Sequence, residues 1–225
     1  MNPLLLAGSA FAVLALAMGR GGGRGGGGGT DLGLDLGADP DEPAPSKGWT
    51  TSVGGAVLPR AGDPLPPVAE GSALDVARWH ADMDTYFYQQ GVGDQGLAAR
   101  LTYLPKARDV EYAIPDPRYW ENMAYTLAVL RGAGFDLDAV ETRGYRPPWY
   151  NEAVGGAPGS THQWFSAIDL WPKATSVGRL HDLSGDLWAA RRQADELGIG
   201  MYTNNVHVDT RRGSPAKWGS RKHLL

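Results

Sequence analysis

The sequence predicts an α+β fold built from a small antiparallel sheet with helices packed against it. Apolar residues recur at helical spacing in residues 72–90 and again in residues 116–133. Residues 206–210 instead alternate between apolar and polar side chains, which is typical of a half-buried strand. The chain has 225 residues, enough for one domain of ordinary size together with additional segments.

Composition limits the kinds of partner and of metal site. The chain carries 21 Lys+Arg and 25 Asp+Glu, for a formal net charge of -4. This balance provides no basic surplus for a nucleic-acid partner, so none is expected. The sequence has no cysteine, which excludes disulfides, a cysteine nucleophile and thiolate zinc sites. A metal site in this chain must therefore use histidine and carboxylate ligands.

The N-terminal part differs in composition from the rest of the chain. Residues 3–18 are apolar and uncharged, so residues 1–19 are expected to form an anchor or signal-like segment. The same segment could instead pack against a virion or tail component. Residues 20–68 are rich in glycine and proline and are predicted to be a flexible linker. The folded domain is therefore expected to span residues 69–225, with its motifs between residues 117 and 219.

Three helices are predicted within that domain. The first follows Ser72 and runs to about residue 90. The second occupies residues 116–133, where Asp116 precedes a proline at the first helical position. The third is expected from residue 183 to residue 197, ended by Gly198.

Short strands are predicted between these helices and after them. The apolar run at residues 101–104 has strand character, and residues 140–142 are predicted to lead into a Gly-Tyr-Arg segment. Two further strands are expected near residues 200–202 and 206–210. Residues 49–53 could form one more short strand within the linker.

Two histidines and one aspartate stand out as candidate metal ligands. His162 follows a glycine-rich loop, and Asp169 lies seven residues later in an apolar-rich stretch. His207 belongs to the alternating segment Val206-His207-Val208-Asp209, where His207 and Asp209 share one face. Two imidazoles and one carboxylate suit zinc and leave a fourth position for water. The alternative is that His162, in a loop, and Asp169, at the end of a strand, only form hydrogen bonds.

Several motifs in the same order resemble the M15 metallopeptidases. The closest resemblance is to the D-Ala-D-Ala carboxypeptidase and phage endolysin-like branch, whose fold is related to the hedgehog signalling domain. The motifs are Gly144-Tyr145-Arg146, Tyr150-Asn151, Val154-Gly155-Gly156-Ala157, Ser160-x-His162, Asp169, Gly198-Ile199-Gly200, His207-x-Asp209 and Trp218-Gly219.

The resemblance implies a role for each matching residue. His162, Asp169 and His207 would bind zinc. Arg146 would bind a substrate carboxylate or polarise the scissile carbonyl, since a guanidinium offers a planar pair of donors. Its alternative role is a structural salt bridge. Tyr145 and Ser160 would contact the substrate, and Ser160 could also order its loop or donate to the ligand Asp169.

The general base departs from the family pattern. Many members place a glutamate or histidine two or three residues before the last zinc histidine, where this chain has Asn205 and Asn204. Neither amide can accept a proton from water, which a zinc peptidase requires. Asp209 is the nearest titratable residue, and it either acts as the base or orients His207. Glu152 and His181 are weaker candidates.

The resemblance leaves more than one function open. The chain is expected to hydrolyse an amide bond in peptidoglycan stem peptides, as a carboxypeptidase or endopeptidase. Alternatively, it binds wall peptides without cleaving them, or it is a structural part of a virion. Its location is accordingly expected to be the cell envelope, membrane-anchored or exported, or a phage virion.

Overall fold

A computed structural model describes residues 59, 63–65, 68–69, 73–192 and 196–225. The apolar segment 3–18, the strand expected at residues 49–53 and most of the linker lie outside the described residues. Among the described residues, no helix is both long and apolar enough to cross a membrane.

The described part of the chain contains helices and strands in mixed order, which confirms the α+β class. The elements are β1 (Val68–Ala69), α1 (Ala73–Gln89), α2 (Leu97–Thr102), β2 (Ile114–Pro115), α3 (Trp120–Gly132), β3 (Val140–Arg143), α4 (Pro148–Ala153), β4 (Ala167–Pro172), α5 (Val177–Arg191), β5 (Leu197–Met201), β6 (Val206–Thr210) and β7 (Ala216–Trp218). Short 3-10 helices occupy Pro117–Tyr119, Thr161–Trp164 and Lys222–Leu224. Helices α1 and α3 and strand β6 lie where the sequence predicts them.

Five strands form the central sheet, in the order β3-β4-β6-β5-β7. All neighbouring pairs are antiparallel except β5 and β7, which run parallel. The sheet was predicted to be antiparallel, but its parallel pair at one edge makes it mixed. The sequence did not indicate the C-terminal strand β7 that forms this pair. One row of paired residues crosses all five strands and consists of Arg143, Asp169, His207, Gly200 and Trp218.

The two faces of the sheet have different compositions. Ile168 and Leu170 on β4 pair with Val208 and Val206 on β6, and all four side chains are buried. Helices α3 and α5 pack against β4 and β6, so this face belongs to the hydrophobic core. Residues between these positions, including His207, point to the opposite face because side chains alternate along a strand. We call this second face the site face.

The strand predicted at residues 101–104 is wrong, because Leu101 and Thr102 belong to helix α2 and Tyr103 forms only an isolated β-bridge with Tyr112. The Asp84 carboxylate on α1 accepts hydrogen bonds from the backbone N–H groups of Gly96 (2.6 Å) and Ala98 (2.8 Å). These bonds satisfy donors at the start of α2 that have no partner within the helix. The capping group comes from another helix, so no local signal marked this start.

The helix predicted at residues 183–197 is displaced toward the N-terminus. Helix α5 begins at Val177, after Ser176, whose hydroxyl accepts a hydrogen bond from the backbone N–H of Arg179 (3.1 Å). Such N-caps fix where a helix starts. Gly198 does not end this helix; it lies inside strand β5.

We predict that removing residues 1–48 leaves a folded domain. The hydrophobic core of the described chain runs from Met83 to Val208, and the truncation retains residue 59, whose carbonyl accepts a hydrogen bond from the Arg212 N–H (3.0 Å). Thermal unfolding followed by circular dichroism should show one cooperative transition. Aggregation of the truncated protein without a cooperative transition would contradict this expectation.

Candidate metal centre and cavity

A cavity of about 530 Å3 opens beside the site face. Its wall combines a small-residue loop, polar groups, two arginines and an aromatic side. The lining residues are Arg146, Gly155, Gly156, Ala157, Gly159, Ser160, Thr161, His162, Asp169, Tyr202, Asn205, His207, Arg211 and Trp218. Ligand pockets of proteins commonly have volumes of about 300–1,000 Å3, so this cavity has room for a short peptide segment.

His162 is held in place by the chain on both sides of it. It lies in the 3-10 helix Thr161–Trp164, after which Phe165 adopts a left-handed conformation with φ 54°. This conformation is uncommon for a residue other than glycine, and the Phe165 side chain is fully buried. The His162 Nδ1 lies 2.5 Å from the Gly144 carbonyl oxygen. A carbonyl can only accept, so Nδ1 carries the proton and Nε2 presents its lone pair.

Asp169 brings the candidate ligands together. Its Oδ1 lies 2.8 Å from His207 Nδ1 and 3.3 Å from His162 Nε2. The same two ring nitrogens lie 3.2 Å from each other. The second carboxylate oxygen, Oδ2, accepts a hydrogen bond from Nη2 of Arg146. All three side chains are buried, and one potential ligand atom from each lies within 4.8 Å of the others.

The separations between these atoms fit a tetrahedral zinc site. Zinc binds imidazole nitrogen and carboxylate oxygen at about 2.0–2.2 Å, so two ligands of a tetrahedral ion lie about 3.3–3.6 Å apart. The three separations are 2.8, 3.2 and 3.3 Å, so one lies within this range and the other two are 0.5 and 0.1 Å below it. Two imidazoles and one carboxylate also match the donor types that zinc prefers. The residues present therefore fit the ion.

Asp209 lies behind His207 and does not line the cavity. Its Oδ2 lies 2.9 Å from His207 Nε2, while Arg211 donates to Oδ1 from Nε (2.6 Å) and to Oδ2 from Nη2. The carboxylate is fully buried, and both of its oxygens are engaged. This geometry favours the orienting role for Asp209 over the role of general base, because the side chain is separated from the cavity by the His207 ring.

The pKa values of the cluster follow from burial and from these contacts. Burial lowers the pKa of His162. Burial also disfavours charge on the other three groups, but hydrogen bonds and opposite charges outweigh it. They hold the pKa of Asp169 well below its usual value, lower that of Asp209 to about 2 and raise that of His207 to about 9. Without a metal, His207 is thus a cation between two carboxylates, and metal binding must release its proton.

The predicted substrate residues have different positions. Arg146 lines the cavity, and its backbone N–H donates to the His162 carbonyl (3.2 Å). Ser160 also lines the cavity. Tyr145 was also predicted to contact the substrate, but its ring is buried in the core and it is not among the described residues that line the cavity. It packs edge-on against Phe165, with ring centroids 5.9 Å apart.

The other candidates for a general base do not reach the cavity. His181 lies on α5, where Nε2 is 2.9 Å from the Tyr202 carbonyl oxygen, and Glu152 is exposed on α4. Asn205 lines the cavity, but its amide cannot take up a proton. Among the lining residues within the described chain, Asp169 is the only carboxylate.

The aromatic side of the cavity was not predicted as part of the site. The indole Nε1 of Trp218 donates to the Tyr202 hydroxyl (2.8 Å), and the ring centroids of Trp218 and His207 are 5.1 Å apart. A Cβ atom at Gly200 would lie 2.7 Å from Trp218 Nε1, so glycine at this position makes room for the indole. The motifs Gly198-Ile199-Gly200 and Trp218-Gly219 were the available signals, although neither indicated that the indole lies against Gly200.

Comparison with known proteins gives a family for the segment that carries most of these residues. Residues 105–209 match the model of the family described as Peptidase M15. This segment is an M15 peptidase domain. The match includes all three candidate ligands of the M15 domain and ends at Asp209. No curated protein and no solved structure matched the chain.

We predict that the metal-free protein loses stability as the pH rises from about 6.5 to 9. The His207 pKa is raised from 6.5 to about 9 on folding, so its stabilising contribution is complete below the lower value and lost above the higher one. The shift corresponds to an upper limit on the order of 3 kcal/mol in the free energy of unfolding. Urea unfolding of chelator-treated protein at several pH values measures it.

The control for this pH dependence is His207→Gln. This variant should lose most of the decrease between about pH 6.5 and pH 9. The groups around His207 are Asp169, Asp209 and His162, and the pKa values of all three are lowered. They are therefore already deprotonated in this range. An equally steep decrease in the variant would contradict the assignment to His207.

Proposed function

We propose that this chain is a zinc-dependent peptidase that hydrolyses an amide bond in peptidoglycan stem peptides, as a carboxypeptidase or an endopeptidase. The observation that carries the proposal is the convergence of His162, Asp169 and His207 beside an open cavity in an M15 domain. Peptidases of this family generally depend on zinc, and the donor types fit that ion.

Each side chain of the proposed centre has a defined task. His162 offers Nε2 and His207 offers Nδ1, because the other nitrogen of each ring is bonded to the Gly144 carbonyl or to the Asp209 carboxylate. Asp169 offers Oδ1 while Arg146 binds its other oxygen. Zinc bound to these atoms would supply a Lewis acid that polarises a carbonyl group and activates water.

Arg146 is proposed to bind the substrate while it also donates a hydrogen bond to Asp169. Its guanidinium lines the cavity, and the hydrogen bond to Asp169 uses only Nη2. The remaining N–H donors can bind a substrate carboxylate or the developing negative charge on the scissile carbonyl. Ser160, on the same wall, is proposed to add a hydroxyl contact to the peptide.

A zinc-containing domain that binds wall peptides without cleaving them is the second candidate. The observation that favours it is the lack, among the described cavity-lining residues, of a carboxylate other than Asp169. Asn205 lines the cavity as well, and its amide cannot accept a proton. If the domain does cleave, the proton acceptor must lie outside the described lining residues, because both oxygens of Asp169 are engaged by His207 and Arg146.

Residues 3–18 are proposed to attach the domain to a membrane or to a virion component. Their apolar and uncharged composition supports this proposal. It accords with a substrate in the cell wall, since the chain would then work in the envelope or be delivered by a phage.

We predict that the purified protein binds one zinc ion and that His162→Ala abolishes this binding. Removing one of three ligands leaves an incomplete site. His223→Ala is the matched control, because His223 is exposed in the C-terminal 3-10 helix. Elemental analysis measures zinc per chain, and unchanged zinc in His162→Ala would contradict the ligand assignment.

Digestion of muropeptides distinguishes the two candidate functions. The peptidase should generate new peptide termini that mass spectrometry detects, and a chelator should abolish them. The non-cleaving binder should retain muropeptides in a zinc-dependent manner without any new terminus. A zinc-loaded protein that neither cleaves nor retains muropeptides would contradict peptidoglycan as the substrate.

We predict that Arg146→Lys reduces kcat/KM by about 100-fold while zinc remains bound. Lysine keeps the positive charge beside Asp169 but lacks the planar pair of donors. Arg100→Lys is the control, because Arg100 binds the Leu137 carbonyl and Asp138 away from the cavity. Wild-type kinetics for Arg146→Lys would show that the arginine forms a structural salt bridge only.

A further inference from the structure

We propose that Arg211 is a positioning residue for the metal centre, which fixes the Asp209 carboxylate and, through it, the ring of the ligand His207. The inference rests on the proposed zinc site, and it extends that site to a residue outside the matched family segment, which ends at residue 209. Arg211 touches the cavity but does not itself supply a metal ligand.

The spacing of the three residues places them on one side of the chain. His207 and Asp209 lie two residues apart on β6, and Arg211 follows after two more residues. The backbone N–H of Arg211 donates to the Glu196 carbonyl (3.0 Å), so the extended pairing with the chain before β5 continues beyond the end of β6. Alternate residues of an extended chain share a face, and this periodicity aligns the imidazole, the carboxylate and the guanidinium.

The contacts between these groups form a continuous series. Arg211 donates from Nε to Oδ1 of Asp209 (2.6 Å) and from Nη2 to Oδ2. Oδ2 in turn lies 2.9 Å from Nε2 of His207. Because the guanidinium binds both carboxylate oxygens, it fixes the plane of the carboxylate and not only its position. That plane sets the direction in which Nε2 of His207 must point.

The guanidinium is itself held by its surroundings. The Cζ atom of Arg211 lies 5.2 Å from the centroid of the Trp218 ring, a cation–π contact. Trp218 is fixed by its hydrogen bond to the Tyr202 hydroxyl. The positioning series therefore ends on an aromatic pair that also forms one side of the cavity.

Strand β5 leaves room for the Asp209–Arg211 pair. A Cβ atom at Gly198 would lie 2.5 Å from Oδ2 of Asp209 and 2.6 Å from Nη2 of Arg211. These distances are too short for any side chain at residue 198 unless the pair moves. Glycine at this position is thus explained by the carboxylate and guanidinium that occupy the space.

Loss of Arg211 should change the orientation of the His207 ring. Asp209 is fully buried, and a buried carboxylate that loses a charged partner rotates toward other donors or admits water. Either change releases Nε2 of His207 from its fixed direction. Removing a hydrogen-bonded partner of a ligating histidine typically weakens metal binding by about 10–100-fold.

The experiment compares zinc dissociation constants and cobalt(II) spectra of the full-length protein and its variants. Arg211→Met should raise the zinc dissociation constant by about 10–100-fold and change the intensity of the visible cobalt bands, which report coordination geometry. Arg211→Lys should recover part of the affinity, because lysine retains a charged donor without the planar fork. Gly198→Ala should weaken zinc binding as well, since its methyl group displaces the same pair.

Two variants serve as matched controls. Arg118 binds Asp116 in the same two-pronged way and at the same sequence separation, with Nε to Oδ1 at 3.0 Å and Nη2 to Oδ2 at 2.8 Å. Arg118→Met therefore breaks an ion pair of the same geometry, although a more exposed one, that does not contact a histidine ligand. Gly178→Ala adds a methyl group that would meet its nearest neighbour at 3.7 Å. Both should keep the zinc affinity and cobalt spectrum of the wild type.

The outcomes separate this inference from the proposed function. If the wild type binds zinc and Arg211→Met has the same zinc affinity and cobalt spectrum, the positioning role is overturned. The proposed zinc site is then unaffected. An equal loss of affinity in Arg118→Met also overturns it, because the effect would then be one of general stability. A wild type that binds no zinc overturns both proposals. A loss confined to the Arg211 and Gly198 variants supports the role.

Discussion

The buried carboxylate of Asp169 is the constraint on which the rest of the site depends. A charge removed from water costs several kcal/mol unless hydrogen bonds and opposite charges compensate it. Here two cationic groups compensate Asp169, His207 at Oδ1 and Arg146 at Oδ2, while His162 directs its Nε2 lone pair toward Oδ1. The loop after β3, the 3-10 helix before β4 and the strand β6 must all be in place together. The same convergence creates a set of atoms spaced for a metal ion.

The sheet supplies the precision that this convergence requires. Asp169 and His207 pair directly across β4 and β6, and Gly200 and Trp218 continue their row on β5 and β7. The residue of this row on β5 is glycine, and the indole ring of Trp218 fills the space beside His207 that a side chain there would need. The opposite face of the same strands packs on α3 and α5, so a rigid hydrophobic core supports the polar face.

Much of the site could be predicted from the sequence because its signals are local. The alternation in residues 206–210 gave both the strand and the shared face of His207 and Asp209. The direction of Tyr145 could not be predicted, because it depends on a distant contact: its backbone N–H donates to the Leu101 carbonyl (2.8 Å), and the ring turns into the core. Helix α2 was missed for a similar reason, since its first N–H groups are capped by Asp84 from another helix.

The central claim is that His162, Asp169 and His207 hold a single zinc ion, and zinc K-edge X-ray absorption of the zinc-loaded protein tests it most directly. The account predicts a four-coordinate spectrum with only nitrogen and oxygen ligands at about 2.0–2.2 Å. Outer-shell scattering should correspond to two imidazole rings. A spectrum with six oxygen ligands, or with fewer than two imidazoles, would contradict the claim.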